Sequence, residues 1–299
     1  MTTDESASAR PLVYAHRGAS AAFAEHTRAA YLRAIDDGAD GVECDVHLTR
    51  DQHVVLLHDA NLDRTSDGTG PVADRTLEEL RLLDFCSWKG ARIPLEYGGR
   101  FDQLLTLPEL LGILRGAGRD IGLAIELKHP SPYLLQLEDR VLEVLAAEGW
   151  DPLISRVDNI SVSFMSFSPD SVKHLLKTVP AEFICQLVDD ITVDEVREEL
   201  GLGIITGGAV ANVMRAAQLE GERILDDGEV RLAGPGIDYV RQHAPAVKRW
   251  RESGRRFRVW TVDSEPDVAL CQELGIHEIT TNRPAQVLAQ LSEISHTVS

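Results

Sequence analysis

Residues 41–60 read GVECDVHLTRDQHVVLLHDA, and this stretch decides both the fold and the position of a candidate site. In GVECDVHL (41–48) apolar and polar residues alternate, as they do in a strand whose side chains point to its two faces in turn. Glu43 and Asp45 therefore share one face of a strand whose other face is apolar. Two buried carboxylates at this spacing are costly unless they bind a cation or pair with positive groups. The pattern favours a metal site over a pair of salt bridges.

The residues after this strand predict a hairpin. A polar turn, Thr49–Gln52, leads into a second apolar run that ends at His58. Two strands joined by a short turn pair in antiparallel fashion, so the second returns along the first. We therefore expect His58 to lie close to Glu43 and Asp45.

Short apolar runs alternate with segments of helical periodicity along the chain. This alternation is typical of parallel β/α architecture. Eight units in a chain of this length favour a closed (β/α)8 barrel of the TIM type over an open doubly wound sheet. The G-x-G-x-x-G fingerprint that usually follows the first strand of the open, nucleotide-binding fold does not occur. The predicted strands are Leu12–Ala15, Gly41–Leu48, Gly122–Leu127, Ile160–Phe167, Glu182–Val188, Val230–Ala233, Phe257–Val262 and Ile276–Thr281.

The spacing of these runs predicts the domain organisation. We expect a flexible tail over residues 1–10 and a single catalytic barrel domain over residues 11–299. The stretch from about 51 to 106 is too long for an ordinary connection and predicts a small insertion after the second strand. A second irregular segment, with a helical pattern of its own from Ala209 to Ile224, is expected from about 201 to 228, outside the metal site.

Composition and charge restrict the class of protein. The 299 residues carry a net charge of -18, and a surface this acidic repels nucleic acid. An anionic substrate would therefore need local positive charge or a bound cation. The four cysteines are far apart and form no C-x-x-C pair, which is typical of reduced thiols in a cytosolic protein. No signal peptide is predicted, and no apolar run approaches the ~18 residues of a transmembrane segment, so we expect a cytoplasmic protein.

The first strand ends in His16 and Arg17. Catalytic groups of a β/α barrel lie at the C-terminal ends of its strands. A neighbouring histidine and arginine there supply a titrating imidazole and a guanidinium that can bind phosphate. The alternative is that Arg17 pairs with a surface carboxylate.

Two later strands add further candidates. In IGLAIELKH (121–129), Glu126 and Lys128 share the face that lines the barrel, so they supply a third carboxylate and a positive charge for a phosphate. The alternative is that these two side chains simply neutralise each other. Trp260 ends the strand RVW, where it serves either as an apolar wall for the substrate or as a core aromatic.

Together these residues predict a chemistry. Three carboxylates without clustered cysteines suit a hard divalent cation, Mg²⁺ or Ca²⁺, with Mn²⁺ as a further candidate. The cation, Arg17 and Lys128 would bind a small-molecule phosphodiester. Its hydrolysis needs a general acid and a general base, and His16 and His58 are the candidates, in an order that the sequence leaves open.

Four stretches resemble the glycerophosphodiester phosphodiesterase family: VYAHRGAS, GVECDVHLTRDQHVVLLHDANLDRTSDGTG, LAIELK and RVWTVD. The resemblance runs from about Leu12 to Pro284 and is weak between Pro180 and Tyr239. It implies a TIM-type barrel with an insertion after the second strand. It also implies metal-dependent hydrolysis of glycerophosphodiesters to glycerol 3-phosphate and an alcohol. The implied roles are metal ligation by Glu43, Asp45 and Glu126, acid–base catalysis by His16 and His58, and phosphate contacts from Arg17 and Lys128.

The chain departs from the family's usual pattern at three positions near these motifs. His26 and Asp263 each stand where the family usually has Asn, and Asn282 stands where it usually has Asp. None of the three removes an implied metal ligand or acid–base group, but they leave the alcohol specificity open. Two other interpretations stay open as well: a related lysophospholipase D or sphingomyelinase D-like phosphodiesterase, and a catalytically inactive barrel that binds a phosphorylated ligand.

Overall fold

The computed structural model describes residues 10–190 and 204–297; most of the predicted tail and residues 201–203 lie outside this part of the chain. Eight of the strands in it run parallel, and the first strand pairs with both the second and the last, which closes a barrel. The predicted (β/α)8 barrel of the TIM type is confirmed. The strands are β1 Leu12–Ala15, β2 Gly41–Leu48, β3 Val54–Leu56, β4 Ile121–Leu127, β5 Arg156–Val157, β6 Ile160–Ser166, β7 Ile184–Val188, β8 Leu232–Pro235, β9 Arg256–Val259 and β10 Glu278–Thr281; β3 and β5 are short antiparallel partners of β2 and β6.

Helices follow the barrel strands and begin at residues suited to that position. Thr27, Ser168 and Ser264 each accept a hydrogen bond from a backbone N–H of the first turn, which satisfies a donor that the helix itself cannot. The helices are α1 Arg28–Asp36, α2 Leu77–Leu80, α3 Leu107–Arg115, α4 Gln136–Ala147, α5 Pro169–Leu175, α6 Ile204–Asp227, α7 Ile237–Gln242, α8 Ala244–Glu252, α9 Glu265–Glu273 and α10 Pro284–Thr297.

The alternation of β2 separates two environments. Val42, Cys44 and Val46 are fully buried in the main apolar core, which lies between the strands and the helices. Glu43 and Asp45 are also buried, but they point into the barrel. All eight residues of β2 are therefore buried, although one face of the strand is apolar and the other carries the two carboxylates.

Below the carboxylates, the barrel interior contains an ion pair and an aromatic ring among other buried side chains. Arg258 is 1% exposed, bonds Glu278 Oε2 through Nε at 2.7 Å, and lies 4.5 Å over the ring of Tyr14. Gly41 and Gly122 flank that ring, and a β-carbon at either would overlap it. The closed lower half of the barrel leaves the C-terminal ends of the strands as the place for a site.

The insertion (residues 51–106) contains β3, α2 and several short 3-10 turns. β3 pairs with β2 in antiparallel register, with Val46 opposite Leu56, so the chain returns along β2 as the hairpin pattern predicts. The insertion also has an apolar cluster of its own, consisting of Val55, Leu57, Leu62, Val72, Leu80, Phe85 and Leu104. These apolar contacts hold the insertion together without relying on polar interactions.

The expectation of a second irregular segment at about 201–228 was wrong for residues 204–227, because they form helix α6. This helix packs on β7 and α5 and connects β7 to β8, so it belongs to the ring of helices. The helical pattern from Ala209 to Ile224 lies within this helix. The pair Gly207-Gly208 lowers helix propensity near its start, and the segment was therefore not assigned to the ring of barrel helices.

Two further observations concern the chain as a whole. None of the helices in the described residues is both long and apolar enough to span a bilayer. All four cysteines lie in the described part of the chain, and each is buried and free.

Candidate active site

Two strands bring three carboxylates together inside the upper part of the barrel. Glu43 and Asp45 lie on β2, and Asp45 is the register partner of Glu126 on β4. One oxygen from each of the three side chains lies within 4.8 Å of the others, and all three residues are buried. The structure thus assembles the three predicted metal ligands in one cluster.

This cluster has the properties of a cation site. Glu43 Oε1 and Asp45 Oδ1 are buried and have no hydrogen-bond partner among the described residues. A buried carboxylate oxygen without a donor is unfavourable. A set of converging carboxylate oxygens is the ligand type that hard divalent cations prefer. Glu43, Asp45 and Glu126 therefore fit a divalent cation.

Arg17 binds the outer side of the same cluster. Its backbone N–H donates to Glu43 Oε2 at 2.9 Å, which the left-handed backbone of Arg17 (φ 57°) allows. Its Nε lies 3.1 Å from Asp45 Oδ2. Burial opposes ionisation of Asp45, but Lys128 and Arg17 outweigh it and hold its pKa well below the usual value. Burial and the Asp45 carboxylate raise the pKa of Glu43.

His16 is held by an amide rather than a carboxylate. Asn282 Nδ2 donates to Asp263 Oδ2 at 2.5 Å, and because a carboxylate only accepts, this contact fixes the orientation of the amide. Asn282 Oδ1 then faces His16 Nδ1 at 2.9 Å. The neutral ring of His16 therefore carries its proton on Nδ1 and leaves Nε2 unprotonated. Burial, with a contribution from Arg17, lowers the pKa of His16 to about 3.

His58 follows β3 and faces the same cluster. Its Nδ1 lies 2.7 Å from Asp59 Oδ1, so a carboxylate supports this ring. Its Nε2 lies 3.1 Å from Lys128 Nζ. The side chain of His47 donates to the backbone carbonyl of His58 at 3.1 Å and fixes the backbone there. The hairpin thus places the second histidine beside β4.

Lys128 links His58 to the carboxylates. Its Nζ is 3.0 Å from Glu126 Oε1 and 3.7 Å from Asp45 Oδ1. Burial opposes the charge, but the two carboxylates outweigh it and raise the pKa of Lys128. Its ammonium group is thus a fixed positive charge at the barrel mouth. The predicted self-neutralising pair with Glu126 does exist, but Lys128 also contacts two other site residues.

Trp260 lies across the mouth and forms an aromatic wall with Phe167. The two rings meet edge to face with centroids 5.6 Å apart, and Trp260 Nε1 donates to the carbonyl of Gly234 at 2.9 Å. Glu126 is the register partner of Met165. Lys128 and Phe167 each lie two residues further along, so they stand at the same height on neighbouring strands. Phe167 was not predicted as a site residue; its signal was an aromatic side chain at the end of the predicted strand Ile160–Phe167.

His26, which the sequence marks as a departure from the family pattern, is buried at the site. Its Nε2 lies 2.9 Å from Asp45 Oδ2, and its Nδ1 lies 2.9 Å from the hydroxyl of Tyr31. Asp45 Oδ2 is therefore occupied by His26 and Arg17, while Oδ1 stays directed at the carboxylate cluster. His26 precedes a helix cap in a loop, where no periodicity indicates the direction of its side chain.

The chain is similar in sequence to phosphodiesterases over nearly its full length. A Mycobacterium tuberculosis protein named "Probable glycerophosphodiester phosphodiesterase 1" is 34% identical over 97% of this chain and 96% of its own length. The glycerophosphodiester phosphodiesterase of Caldanaerobacter subterraneus is 27% identical over 93% of this chain and 97% of its own.

Solved structures share the fold. A phosphodiesterase of Oleispira antarctica, solved in complex with the product sn-glycerol-3-phosphate, superposes with a TM-score of 0.68 at 23% identity. The alignment covers 95% of this chain and 97% of that one. The glycerophosphodiester phosphodiesterase of Thermotoga maritima gives a TM-score of 0.64 at 21% identity, over 94% of this chain and 99% of that one.

A family model decides the assignment. The model of the glycerophosphoryl diester phosphodiesterase family matches residues 16–286, a range that includes every site residue described above. The family and the enzyme class predicted from the sequence motifs are thereby confirmed. This chain belongs to the glycerophosphoryl diester phosphodiesterase family.

Proposed function

We propose that the protein hydrolyses glycerophosphodiesters to glycerol 3-phosphate and an alcohol, with a divalent cation at Glu43, Asp45 and Glu126. One observation carries this proposal. Three converging carboxylates, two of whose buried oxygens have no hydrogen-bond partner among the described residues, lie beside two imidazoles and two fixed positive charges. A phosphodiester needs each of these groups for binding and for proton transfer.

The ligand set supports a hard cation, and we propose Mg²⁺ or Ca²⁺, with Mn²⁺ as a further candidate. When bound, such a cation neutralises the non-bridging phosphate oxygens as negative charge develops on them. The three carboxylates outnumber the positive side chains Arg17 and Lys128. A divalent ion therefore turns this group of five from net negative to net positive, which suits an anionic substrate on a protein of net charge -18.

Arg17 and Lys128 are proposed to bind the phosphate. Glu25 and Asp45 hold the guanidinium of Arg17, and Glu126 holds the ammonium of Lys128. Both charges are thus positioned before the substrate arrives, so little reorganisation is needed on binding. A phosphate oxygen that accepts from Lys128 would also release Nε2 of His58 from its contact with that ammonium.

The partners of the two histidines support a division of labour. His16 is neutral at pH 7, with a free lone pair on Nε2, so we assign it as the base that takes the proton of the attacking hydroxyl. Asp59 stabilises a positive charge on His58, so we assign His58 as the acid that protonates the departing alkoxide. Either water or a neighbouring glycerol hydroxyl can be the nucleophile, and the proton transfers of this step are the same in the two cases. Attack by the hydroxyl gives a cyclic phosphate, which water must then open to give glycerol 3-phosphate.

The aromatic wall of Phe167 and Trp260 is proposed to contact an apolar surface of the substrate. Phe167 stands at the height of Lys128, so a phosphate bound by Lys128 has its organic substituent within reach of the two rings.

An expected cytoplasmic location stays a prediction. It is supported by the four cysteines, all of them free in a described part of the chain.

The test is release of glycerol 3-phosphate from glycerophosphocholine and glycerophosphoethanolamine, before and after removal of divalent ions with a chelator. We expect release that stops on chelation and returns with Mg²⁺, Ca²⁺ or Mn²⁺, and the order of recovery identifies the preferred ion. Activity unchanged by chelation would refute the cation assignment.

Two further measurements separate the alternatives, one with a lysophospholipid as substrate and one with glycerol 3-phosphate as ligand. A lysophospholipase D would release the alcohol from a lysophospholipid and leave the acylated glycerol phosphate, without free glycerol 3-phosphate. An inactive barrel would bind glycerol 3-phosphate in calorimetry and cleave none of the substrates.

A further inference from the structure

Arg64, in the insertion, donates four hydrogen bonds to two carboxylates. Its NH1 and NH2 groups bond Glu25 at 2.9 and 2.7 Å, and its Nε and NH2 groups bond Asp59 at 2.7 and 2.9 Å. Both carboxylates are therefore bound through both of their oxygens. A planar guanidinium is the only protein cation with the donor geometry for two such contacts.

Each of these carboxylates continues to a residue of the proposed site. Glu25 accepts from the guanidinium of Arg17 at 3.1 Å. Asp59 bonds Nδ1 of His58 at 2.7 Å. An unbroken series of contacts thus runs from Arg17 through Glu25, Arg64 and Asp59 to His58. It joins the loop after β1 to the insertion, two segments that the barrel strands alone do not hold together.

We propose that Arg64 is a positioning residue that fixes the phosphate-binding Arg17 and the acid His58 in one frame. The proposal rests on the function proposed above. A shift of the proton donor by a fraction of an ångström lowers the rate of proton transfer, because catalysis requires the reacting groups close together and aligned. Arg64 itself is too far along this series to be a catalytic residue.

A purely structural role fits the surroundings of Arg64 less well. Its side chain is 46% exposed, and exposed ion pairs contribute little to stability. The insertion is held by the apolar cluster around Leu62 and Phe85, which does not include Arg64. Removing the guanidinium should therefore disturb the site more than the fold.

The first test compares Arg64→Met with Arg64→Lys in the full-length protein with Mg²⁺. We expect kcat for glycerophosphocholine to fall by about 10- to 100-fold in Arg64→Met, as misplacement of a catalytic group predicts, with a melting temperature close to that of the parent. Arg64→Lys keeps the positive charge but cannot donate to both oxygens of both carboxylates, so it should recover only part of the lost kcat. Arg50→Met is the matched control, because Arg50 immediately precedes the insertion and pairs at the surface with Glu79, a residue of the insertion. It should leave kcat unchanged.

A double-mutant cycle tests whether Arg64 acts through Asp59. If it does, adding Arg64→Met to Asp59→Asn should lower kcat much less than it does in the parent. Full additivity would overturn the proposal, and so would parental kcat in Arg64→Met.

A third measurement does not depend on turnover. In the NMR spectrum of histidine-labelled protein, the Nδ1 proton of His58 should give a low-field signal, identified by its loss in His58→Ala. Arg64→Met should shift or broaden this signal, and Arg50→Met should not. An unchanged signal in Arg64→Met would overturn the proposal for Arg64, whether or not the protein cleaves glycerophosphodiesters. Absence of glycerophosphodiester cleavage by the parent would refute the proposed function alone.

Discussion

At the mouth of the barrel, β1, β2 and β4 carry or lead into charged side chains, whereas β6 and β9 lead into Phe167 and Trp260. The charged half consists of His16, Arg17, Glu43, Asp45, Glu126 and Lys128; the aromatic half consists of Phe167 and Trp260. In the charged half each side chain contacts at least one other charged or polar residue at hydrogen-bonding distance. In the aromatic half the two rings pack edge to face, and Trp260 also donates to the backbone carbonyl of Gly234. The difference suggests that one half performs the reaction and the other selects the substrate.

The two halves should respond differently to substitution. A buried charge that loses its partner is costly, and its neighbours are left unpaired. An aromatic ring that is removed leaves space that water or a different substituent can fill. We therefore expect large, coupled effects in the charged half and small, substrate-dependent effects in the aromatic half.

The largest effect is expected for Glu43→Gln. Loss of one charged ligand should weaken cation binding and lower kcat by about three orders of magnitude, since the cation contributes several kcal/mol to the transition state. The amide keeps the size of the side chain and removes one of three neighbouring negative charges. The cation-free protein should therefore be at least as stable as the parent. Thermal melting with and without Mg²⁺ checks both points.

In that experiment the parent should gain melting temperature with Mg²⁺ and Glu43→Gln should not. A variant that is still stabilised by Mg²⁺ to the parental extent would show that the charged half does not hold the ion through Glu43. Glu96→Gln serves as the control, because Glu96 is an exposed carboxylate of the insertion.

The next effect concerns pH. Burial and Arg17 lower the pKa of His16 to about 3, so in the parent this base stays neutral throughout the range above pH 5. Exchanging the two partners, Asp263→Asn with Asn282→Asp, places a carboxylate directly on Nδ1. An opposite charge at this distance favours the imidazolium, so the pKa of His16 rises.

Because the base must be unprotonated, the acidic limb of the profile of kcat/KM against pH should move to higher pH in the exchanged variant. The loss should be largest below pH 6 and should disappear at higher pH. The exchange conserves both composition and net charge, so it is its own control for electrostatics at long range. A profile identical to that of the parent would refute the assignment of His16 as base.

A smaller effect is expected for His26→Asn. His26 orients Asp45 by occupying Oδ2, and loss of such a supporting contact typically lowers metal affinity about 10-fold or more. Calorimetric titration of the cation-free protein with Mn²⁺ measures this directly. His174→Asn is the control, because His174 contacts only the exposed Asp139 and Lys177 at the surface. Equal Mn²⁺ affinity in His26→Asn and the parent would show that His26 does not support the cation site.

The sequence predicted the charged half because its signals are local. Strand alternation places Glu43 with Asp45 and Glu126 with Lys128, and a short turn brings His58 back to them. The fold followed from eight repetitions of one pattern. Helix α6 was predicted only as a helical pattern from Ala209 onwards and not as part of the ring of helices. Gly207 and Gly208 obscure its start, whereas packing on β7 and α5 stabilises it.

The supporting contacts could not be predicted because they join residues that are distant in sequence. Asp263 and Asn282 were recognised as departures from a family pattern, but only the barrel brings the two together at His16. His26 and Arg64 lie in loops, where no periodicity fixes the direction of a side chain. In such regions the sequence identifies a residue type, and the tertiary structure determines its partner.

The smallest effect is expected for the aromatic half. Phe167→Ala and Trp260→Ala each remove apolar contact area from the wall, and partial loss of such a contact changes binding by about 1–2 kcal/mol, or 5- to 30-fold in KM. Because neither ring donates or accepts the transferred protons, kcat should change much less than KM. The change in KM should also differ between glycerophosphocholine and glycerophosphoethanolamine, since a quaternary ammonium gains more from an aromatic face. Steady-state kinetics with both substrates checks this, and a fall in kcat as large as that of Glu43→Gln would show that the two halves are not functionally distinct.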